Sequence, residues 1–270
     1  MLSKTLIETG ICEVTLTSAK SRNALSLDLI RELTKTFNSI HDDSSIRAVI
    51  LGAEGPAFSS GHHLKEVLAS RVALEESGAI DASSAGSALL QTTFEECSAL
   101  MQRILHLNQP VIAKVDGVAT AAGCQLVATC DLAYASTTSH FCTPGVSIGL
   151  FCTTPGVALS RSVGRKHAMK MLLTGEMVNA EEAARIGLIN DVVPSQELDD
   201  VVLSVANTIA SKSQLATRIG KTAFYKQLDM PLPNAYDYAS TVMWNNMLAH
   251  DAKEGIQSFL AKTAPKWTNK

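Results

Sequence analysis

The feature that most limits this fold is an alternation. Up to about residue 195, apolar strand-like runs take turns with amphipathic helical segments. Residues 11–17 alternate apolar and polar side chains, as a half-exposed strand does. Ile30, Leu33, Phe37 and Ile40 then recur at helical spacing, with Ser26 placed to cap the helix and Asp28 in its first turn. Residues 47–53 (RAVILGA) form the next apolar strand. A long helix before Pro110, the strand VIAKVDG, a helix from about Ala122 and the strand LAYAS repeat the pattern. Strands separated by helices pair in parallel through right-handed crossovers. Beyond about Pro194 the strand signals stop, and helices are expected near residues 195–212, 214–227, 235–250 and 252–262. The expected organisation is an α/β body over 1–195 and a helical section over 196–270. Residues 68–91, rich in Ala, Ser and Gly with weak periodicity, read as an irregular surface excursion.

Composition narrows the function. The 270 residues are 46% hydrophobic and carry a formal net charge of −3, so no basic surplus drives nucleic-acid binding. No apolar run reaches the roughly 18 residues of a membrane span. The N-terminal MLSKTLIETG lacks a signal-peptide core. Six scattered cysteines without CxxC spacing suit a reducing compartment. Together these point to a cytoplasmic protein.

Three motif-like stretches lack the context their chemistry needs. Gly220-Lys221-Thr222 ends like a phosphate-binding loop, but Leu215 stands where the first glycine belongs and the segment reads as helix. Gly145-Val146-Ser147-Ile148-Gly149 spells a nucleophile elbow, which needs a helix straight after the serine; Gly149 and Pro155 argue against one. His62 and His63 are adjacent, and neighbours in an extended chain diverge, so they do not share a metal ion.

Two other stretches carry a chemical signal. In residues 56–66 (PAFSSGHHLKE) a strand runs into a small-residue turn at Gly61 and then a helix. In residues 116–131 (DGVATAAGCQLVATCD) a strand ends at Gly117, tiny residues follow, and an apolar helix starts near Ala122. Small residues let the backbone approach a ligand, and a helix start offers unpaired N–H groups. Two such turns facing each other would form an oxyanion hole. Close packing of helix on sheet explains the same residues without a ligand.

Over residues 11–267 the chain resembles the enoyl-CoA hydratase/isomerase (crotonase) family. The matching stretches are RNALS, AFSSGHHLKE, QPVIAKVDGVATAAGCQLVATCDLAYAS, HFCTPGVSIGLFCTTPGVALSRSVGRKHAMKMLLTGE, NAEEAARIGLINDVV and EGIQSFLAKTAPKW. The resemblance implies a crotonase-like spiral of β-β-α units with a helical C-terminal trimerisation section, assembled as a homo-trimer or dimer of trimers. It implies an acyl-CoA thioester as ligand, with coenzyme A part of the substrate and no prosthetic group. The thioester oxygen would be held by the backbone N–H groups of His62 and Ala122. Ser21, Arg22, Ala24 and Ser60 would lie along coenzyme A, and Phe259 and Lys262 would reach a neighbouring subunit's coenzyme A.

The match fails where hydration needs it most. Hydratases of this family use two glutamates, which align with Gln125 and Gly145. An amide is no base near pH 7, and glycine has no side chain. What remains nearby is Gln125, Thr143, Ser147, Cys152, Thr153 and the two histidines. The family also contains decarboxylases of malonyl-type acyl-CoAs, which are similar in the GH turn and the TP segment and need no base to start. A catalytically silent acyl-CoA binder is the remaining alternative.

Overall fold

The computed structural model describes residues 1–7, 9–76 and 85–270. Strand β1 (Leu2–Ile7) pairs antiparallel with β2 (Ile11–Leu16). In β2 the period of two puts Cys12, Val14 and Leu16 into the main core and Ile11 into a second one. Helix α1 (Leu27–His41) begins where Ser26 Oγ accepts from the Leu29 N–H at 3.2 Å. Its Leu29, Ile30, Leu33, Phe37 and Ile40 form one buried stripe.

Next come β3 (Ala48–Ala53), β4 (Ala57–Ser59), α2 (Leu64–Glu76) and α3 (Ala85–Leu105). Then β5 (Val111–Val115), β6 (Val118–Thr120) and α4 (Ala122–Thr129) repeat the order. So do β7 (Leu132–Ser136), β8 (His140–Cys142), α5 (Thr153–Ser162) and α6 (Arg165–Thr174). Each unit sends its first strand into a six-stranded sheet, β1-β2-β3-β5-β7-β10, and its second into a four-stranded sheet, β4-β6-β8-β9. The chain therefore winds as a spiral of β-β-α units. Pairing is parallel except at β1–β2 and β8–β9. The last strands are β9 (Val178–Asn179) and β10 (Asp191–Val193), joined through α7 (Ala180–Arg185).

Four helices end the described chain: α8 (Leu198–Ala210), α9 (Gln214–Leu228), α10 (Leu232–Met247) and α11 (His250–Ala261). Helix α8 packs Leu198, Val202, Ala206 and Ala210 against Ile11, Ala48, Ile50 and Ile112 of the six-stranded sheet. Helix α9 is pinned through Lys221, the residue of the GKT stretch. Its Nζ donates to Asp131 Oδ2 at 2.6 Å and to the carbonyls of Ile104 and Gln109, each at 3.0 Å. Tyr225 Oη donates to the other Asp131 oxygen at 2.9 Å. Lys221 thus serves packing, inside a continuous helix.

The sheet and helix order matches the alternation in the sequence, with one correction. Residues 68–91 are not an irregular excursion as far as they are described: α2 extends to Glu76, and α3 has begun by Ala85. Residues 77–84 lie outside the described residues. The misreading has a physical reason. Helix α2 lies on the surface and, among its residues of described burial, buries only Ser70 and Leu74, one turn apart, so it shows almost no apolar stripe. Its alanines and leucines supply helix propensity instead.

Candidate active site

Two turns leading from the four-stranded sheet into helices touch where β4 and β6 run side by side. The first follows β4. Gly61 adopts a φ of +82°, and Leu25 bridges to His62: the Leu25 N–H donates to Gly61 O at 2.7 Å, and the His63 N–H donates to Leu25 O at 3.3 Å. Successive N–H groups of an extended segment face opposite sides. With its neighbours committed to Leu25, the His62 N–H faces away from that loop.

The second turn follows β6. Ala121 holds a φ of 50°, uncommon for a residue with a Cβ, and donates its N–H to Cys142 O at 2.9 Å. Helix α4 starts at the next residue, so the Ala122 N–H has no partner within the helix. Among the described residues, neither the His62 nor the Ala122 N–H has an acceptor.

Strands β4 and β6 are parallel neighbours, with Ala57 beside Val118. A methyl group on Gly61 would lie 2.9 Å from Thr120 O and 3.2 Å from the Ala122 nitrogen. A methyl group on Gly123 would lie 2.3 Å from Ser59 O. The first turn of α4 is therefore pressed onto the end of β4, and glycine is required at both contacts. The residues 118–120 that read as a small-residue loop form the short strand β6, which sets this register.

The His62 ring meets Phe94 edge-on, with centroids 5.1 Å apart. Burial holds its imidazole below the ordinary histidine pKa, against an opposing contribution from the Leu25 backbone, and among the described residues neither ring nitrogen has a well-formed hydrogen bond. His63 has other neighbours: its Nδ1 lies 3.4 Å from Glu66 Oε1, beside a cavity of about 420 Å³. Gln125 is 4% exposed, and its Oε1 has no partner among the described residues. Thr143 is fully buried, and its Oγ1 also lacks a partner. Such orphaned groups cost about 1–3 kcal/mol each, a deficit that a polar ligand can relieve. A cleft of about 950 Å³, walled by α3, α5 and α9, reaches Gln125; His62 and Ala122 do not line it.

Gly145 is buried in a 3₁₀ turn (Pro144–Ile148), and a Cβ there would lie 2.8 Å from Cys152 Sγ. Its side-chain space is filled by a thiol. Ser147, in the same turn, is exposed, and α5 begins only at Thr153, so no nucleophile elbow forms.

Ser21, Arg22, Ala24 and Ser60 come together. The Ser60 N–H donates to Arg22 O at 3.0 Å, and Ser60 Oγ reaches Ser21 O at 3.4 Å. Arg22 and Asn23 have φ values of 54° and 51°. Asn23 was not singled out from the sequence, yet its Nδ2 secures this loop by donating to the carbonyls of Glu54 and Ala57. Phe259 and Lys262 stand apart. They sit at the exposed end of α11, where Lys262 adopts φ 55° as the helix cap. Among the described residues, no hydrogen bond or ion pair ties their side chains to the two turns. The sequence offered no signal for the strained Ala121, since alanine is not a residue expected at positive φ.

Comparison with known proteins agrees with this architecture. The enoyl-CoA hydratase/isomerase family model matches residues 6–270. Human enoyl-CoA hydratase domain-containing protein 3, mitochondrial, is 45% identical over 260 residues, covering 96% of this chain and 81% of that protein. The rat protein of the same name is 42% identical over 268 residues, covering 99% and 85%. The crystal structure of the human protein superposes with a TM-score of 0.89 at 42% identity, covering 98% of this chain and 99% of that one. An enoyl-CoA hydratase structure from Mycobacterium smegmatis gives 0.90 at 41% identity, covering 98% of each. The mitochondrial label of these relatives overturns the cytoplasmic expectation, which rested on cysteine usage and the lack of a signal-peptide core. With this fold, and with similarity running along nearly its whole length, the chain belongs to the enoyl-CoA hydratase/isomerase family, whose members act on acyl-CoA thioesters.

Proposed function

We propose that the His62 and Ala122 N–H groups bind the carbonyl oxygen of an acyl-CoA thioester and stabilise the enolate that develops on it. The observation that carries this reading is the pair of main-chain N–H groups without acceptors, on two turns held in contact by Gly61 and Gly123. Preorganised donors stabilise developing charge more than ground-state charge, and removing one typically costs about 3–4 kcal/mol. The donors are main-chain atoms, so alanine at 122 serves as well as glycine.

Efficient hydration by paired carboxylates is not part of this proposal. Gln125 is neutral, and the space beside Gly145 holds Cys152 Sγ. General acid–base catalysis is typically worth 10²–10⁴-fold, and its loss leaves enolate stabilisation as the main resource. A malonyl-type acyl-CoA decarboxylase is the second reading, favoured by the unpartnered polar atoms of Gln125 and Thr143, which carry no charge to repel a substrate carboxylate. A catalytically silent acyl-CoA binder is the third.

Coenzyme A would run along Ser21, Arg22, Ala24 and Ser60, and Phe259 and Lys262 would meet the coenzyme A of an adjacent copy. Assembly of the chain as a homo-trimer or dimer of trimers is supported by α10, which leaves Leu232 70%, Tyr236 68% and Met243 67% exposed along one face.

The test is an assay of purified protein with crotonyl-CoA, methylmalonyl-CoA and ethylmalonyl-CoA, alongside calorimetric binding of butyryl-CoA. Carbon dioxide release from a malonyl-type thioester supports the decarboxylase, and saturable binding without turnover supports the silent binder. Absence of thioester binding refutes the proposal.

A further inference from the structure

The paired turns leave open which group handles protons beside them. No Asp or Glu occurs between Val118 and Asp131, or between Leu132 and Gly175. Three thiols are close enough to feel one another's charge there: Cys124 on α4, Cys142 at the end of β8 and Cys152 just before α5. Cys142 supplies the carbonyl that holds the Ala121 N–H, and Cys124 precedes Gln125. A proton carrier must also exchange its proton with water. Cys124 and Cys142 are sealed in, whereas Cys152 alone of the six cysteines is not fully buried.

The position of Cys152 is fixed from two sides. Its Sγ lies 2.8 Å from where a Cβ of Gly145 would be and, together with Leu150 O at 3.0 Å, occupies the space of the side chain that Gly145 lacks. It also forms the N-cap position of α5, whose following turns, with Thr154 and Ala158, wall the cleft that reaches Gln125. Independent of the thiol, Gln125 presents a buried and unpartnered Oε1 at that cleft, and the fully buried Thr143 has an unpartnered Oγ1 two residues before Gly145. These unpartnered atoms belong to the residues that directly follow Cys124 and Cys142, the two thiols near Cys152, although Cys152 itself does not line the cleft.

We propose that the Cys152 thiol is the proton carrier of this site, delivering its proton to the α-carbon of a thioester enolate held by His62 and Ala122. The inference rests on the enolate reading above. In the step, the enolate's carbon–carbon π pair forms the new C–H bond, the S–H bond breaks, and a thiolate remains. Water arriving from the exposed side reprotonates the thiolate, and no redox partner is needed. Burial raises the thiol's pKa, against an opposing contribution from the Gly145 backbone, so the group starts protonated at neutral pH. The N-terminus of α5 favours the transient thiolate.

The reverse step gives the test. Butyryl-CoA is incubated with the protein in heavy water, deuterium at its α-carbon is followed by mass spectrometry, and its binding is measured by calorimetry. Wild-type exchange is expected to rise roughly tenfold per pH unit between pH 7 and 9, as the thiolate fraction grows. Cys152→Ser is expected to lose at least about 100-fold in exchange with Kd changed less than threefold. Cys152→Asp, which places a carboxylate there, is expected to exchange at pH 7. If Cys152→Asp fails to fold, methyl methanethiosulfonate labelling of wild-type Cys152 replaces it, and butyryl-CoA is expected to slow that labelling.

Intact binding with no wild-type exchange, or with Cys152→Ser exchanging like wild type, overturns the thiol's role and leaves the enolate reading standing. Exchange lost in His62→Ala but kept in Cys152→Ser assigns the proton to the imidazole and overturns it too. No binding by the wild type defeats both.

Discussion

Replacing Gly61 with alanine separates two turns that the proposed site needs in contact. Gly61 holds φ +82°, and its new Cβ would lie 2.9 Å from both Thr120 O and Ala121 Cβ. Two of the three nearest atoms are backbone, Thr120 O and the Ala122 nitrogen, and neither can swing aside as a flexible side chain would. The left-handed backbone costs an alanine about 1–2 kcal/mol, and the overlap adds about 1–3 kcal/mol. A total of roughly 2–5 kcal/mol, at about 2–4 °C per kcal/mol, predicts a Tm lowered by roughly 4–20 °C. Relief of the overlap moves Thr120–Ala122 off Gly61, so the two N–H groups lose their shared target. Butyryl-CoA affinity is therefore expected to fall at least tenfold in protein still folded at 20 °C. Gly220→Ala is the control: no atom lies within 4 Å of its would-be Cβ, it sits inside α9, and it should gain about 1 kcal/mol. A Gly61→Ala protein with wild-type Tm and wild-type butyryl-CoA affinity refutes the facing-turn geometry.

Further outcomes follow from the same structure. Gly145→Ala is expected to destabilise the wild type by about 1–3 kcal/mol but less in a Cys152→Ala background, since Sγ at 2.8 Å is the tightest contact of the new methyl and only those with Leu150 O at 3.0 Å and the Cys152 nitrogen at 3.2 Å persist without it; equal losses in both backgrounds, read by urea denaturation, contradict this. Lys221→Met strands the Asp131 carboxylate, is expected to cost about 3–5 kcal/mol and is checked by thermal melting. His62→Ala keeps the main-chain donor, so butyryl-CoA Kd should change less than fivefold. Asp251 is 3% exposed; burial raises its pKa, but hydrogen bonds from Ser213, Thr268 and Asn269 outweigh this and leave it below the ordinary value of 3.8. Its contribution is present above that value and is lost as pH falls through the lower folded value. Hydrogen-exchange protection factors in residues 263–270, corrected for the intrinsic slowing of exchange in acid, should therefore drop once the pH falls below about 3.8.

The body of the fold was legible because its long elements follow single periods. The stripe from Ile30 to Ile40 and the apolar run of β5 each report one face or one buried strand. The second sheet was not legible from periodicity, since its strands are two or three residues long and too short to show any. β1 was missed because it lies at the edge and leaves Ser3, Lys4, Thr5 and Leu6 exposed. The small-residue turns around Gly61 and Ala122 stood out in the sequence, but their contact did not. That contact depends on β4 lying beside β6, a pairing between residues about 60 positions apart. The filling of the Gly145 space by Cys152 was likewise invisible, because a glycine in a sequence says what is absent and not what takes its place.

The most direct measurement is a crystal structure with bound butyryl-CoA. The thioester oxygen is expected about 2.7–3.1 Å from both the His62 and Ala122 nitrogens, with the α-carbon facing Cys152. A thioester whose oxygen touches neither nitrogen, for instance one seated in the cavity beside His63 and Glu66, contradicts the central claim.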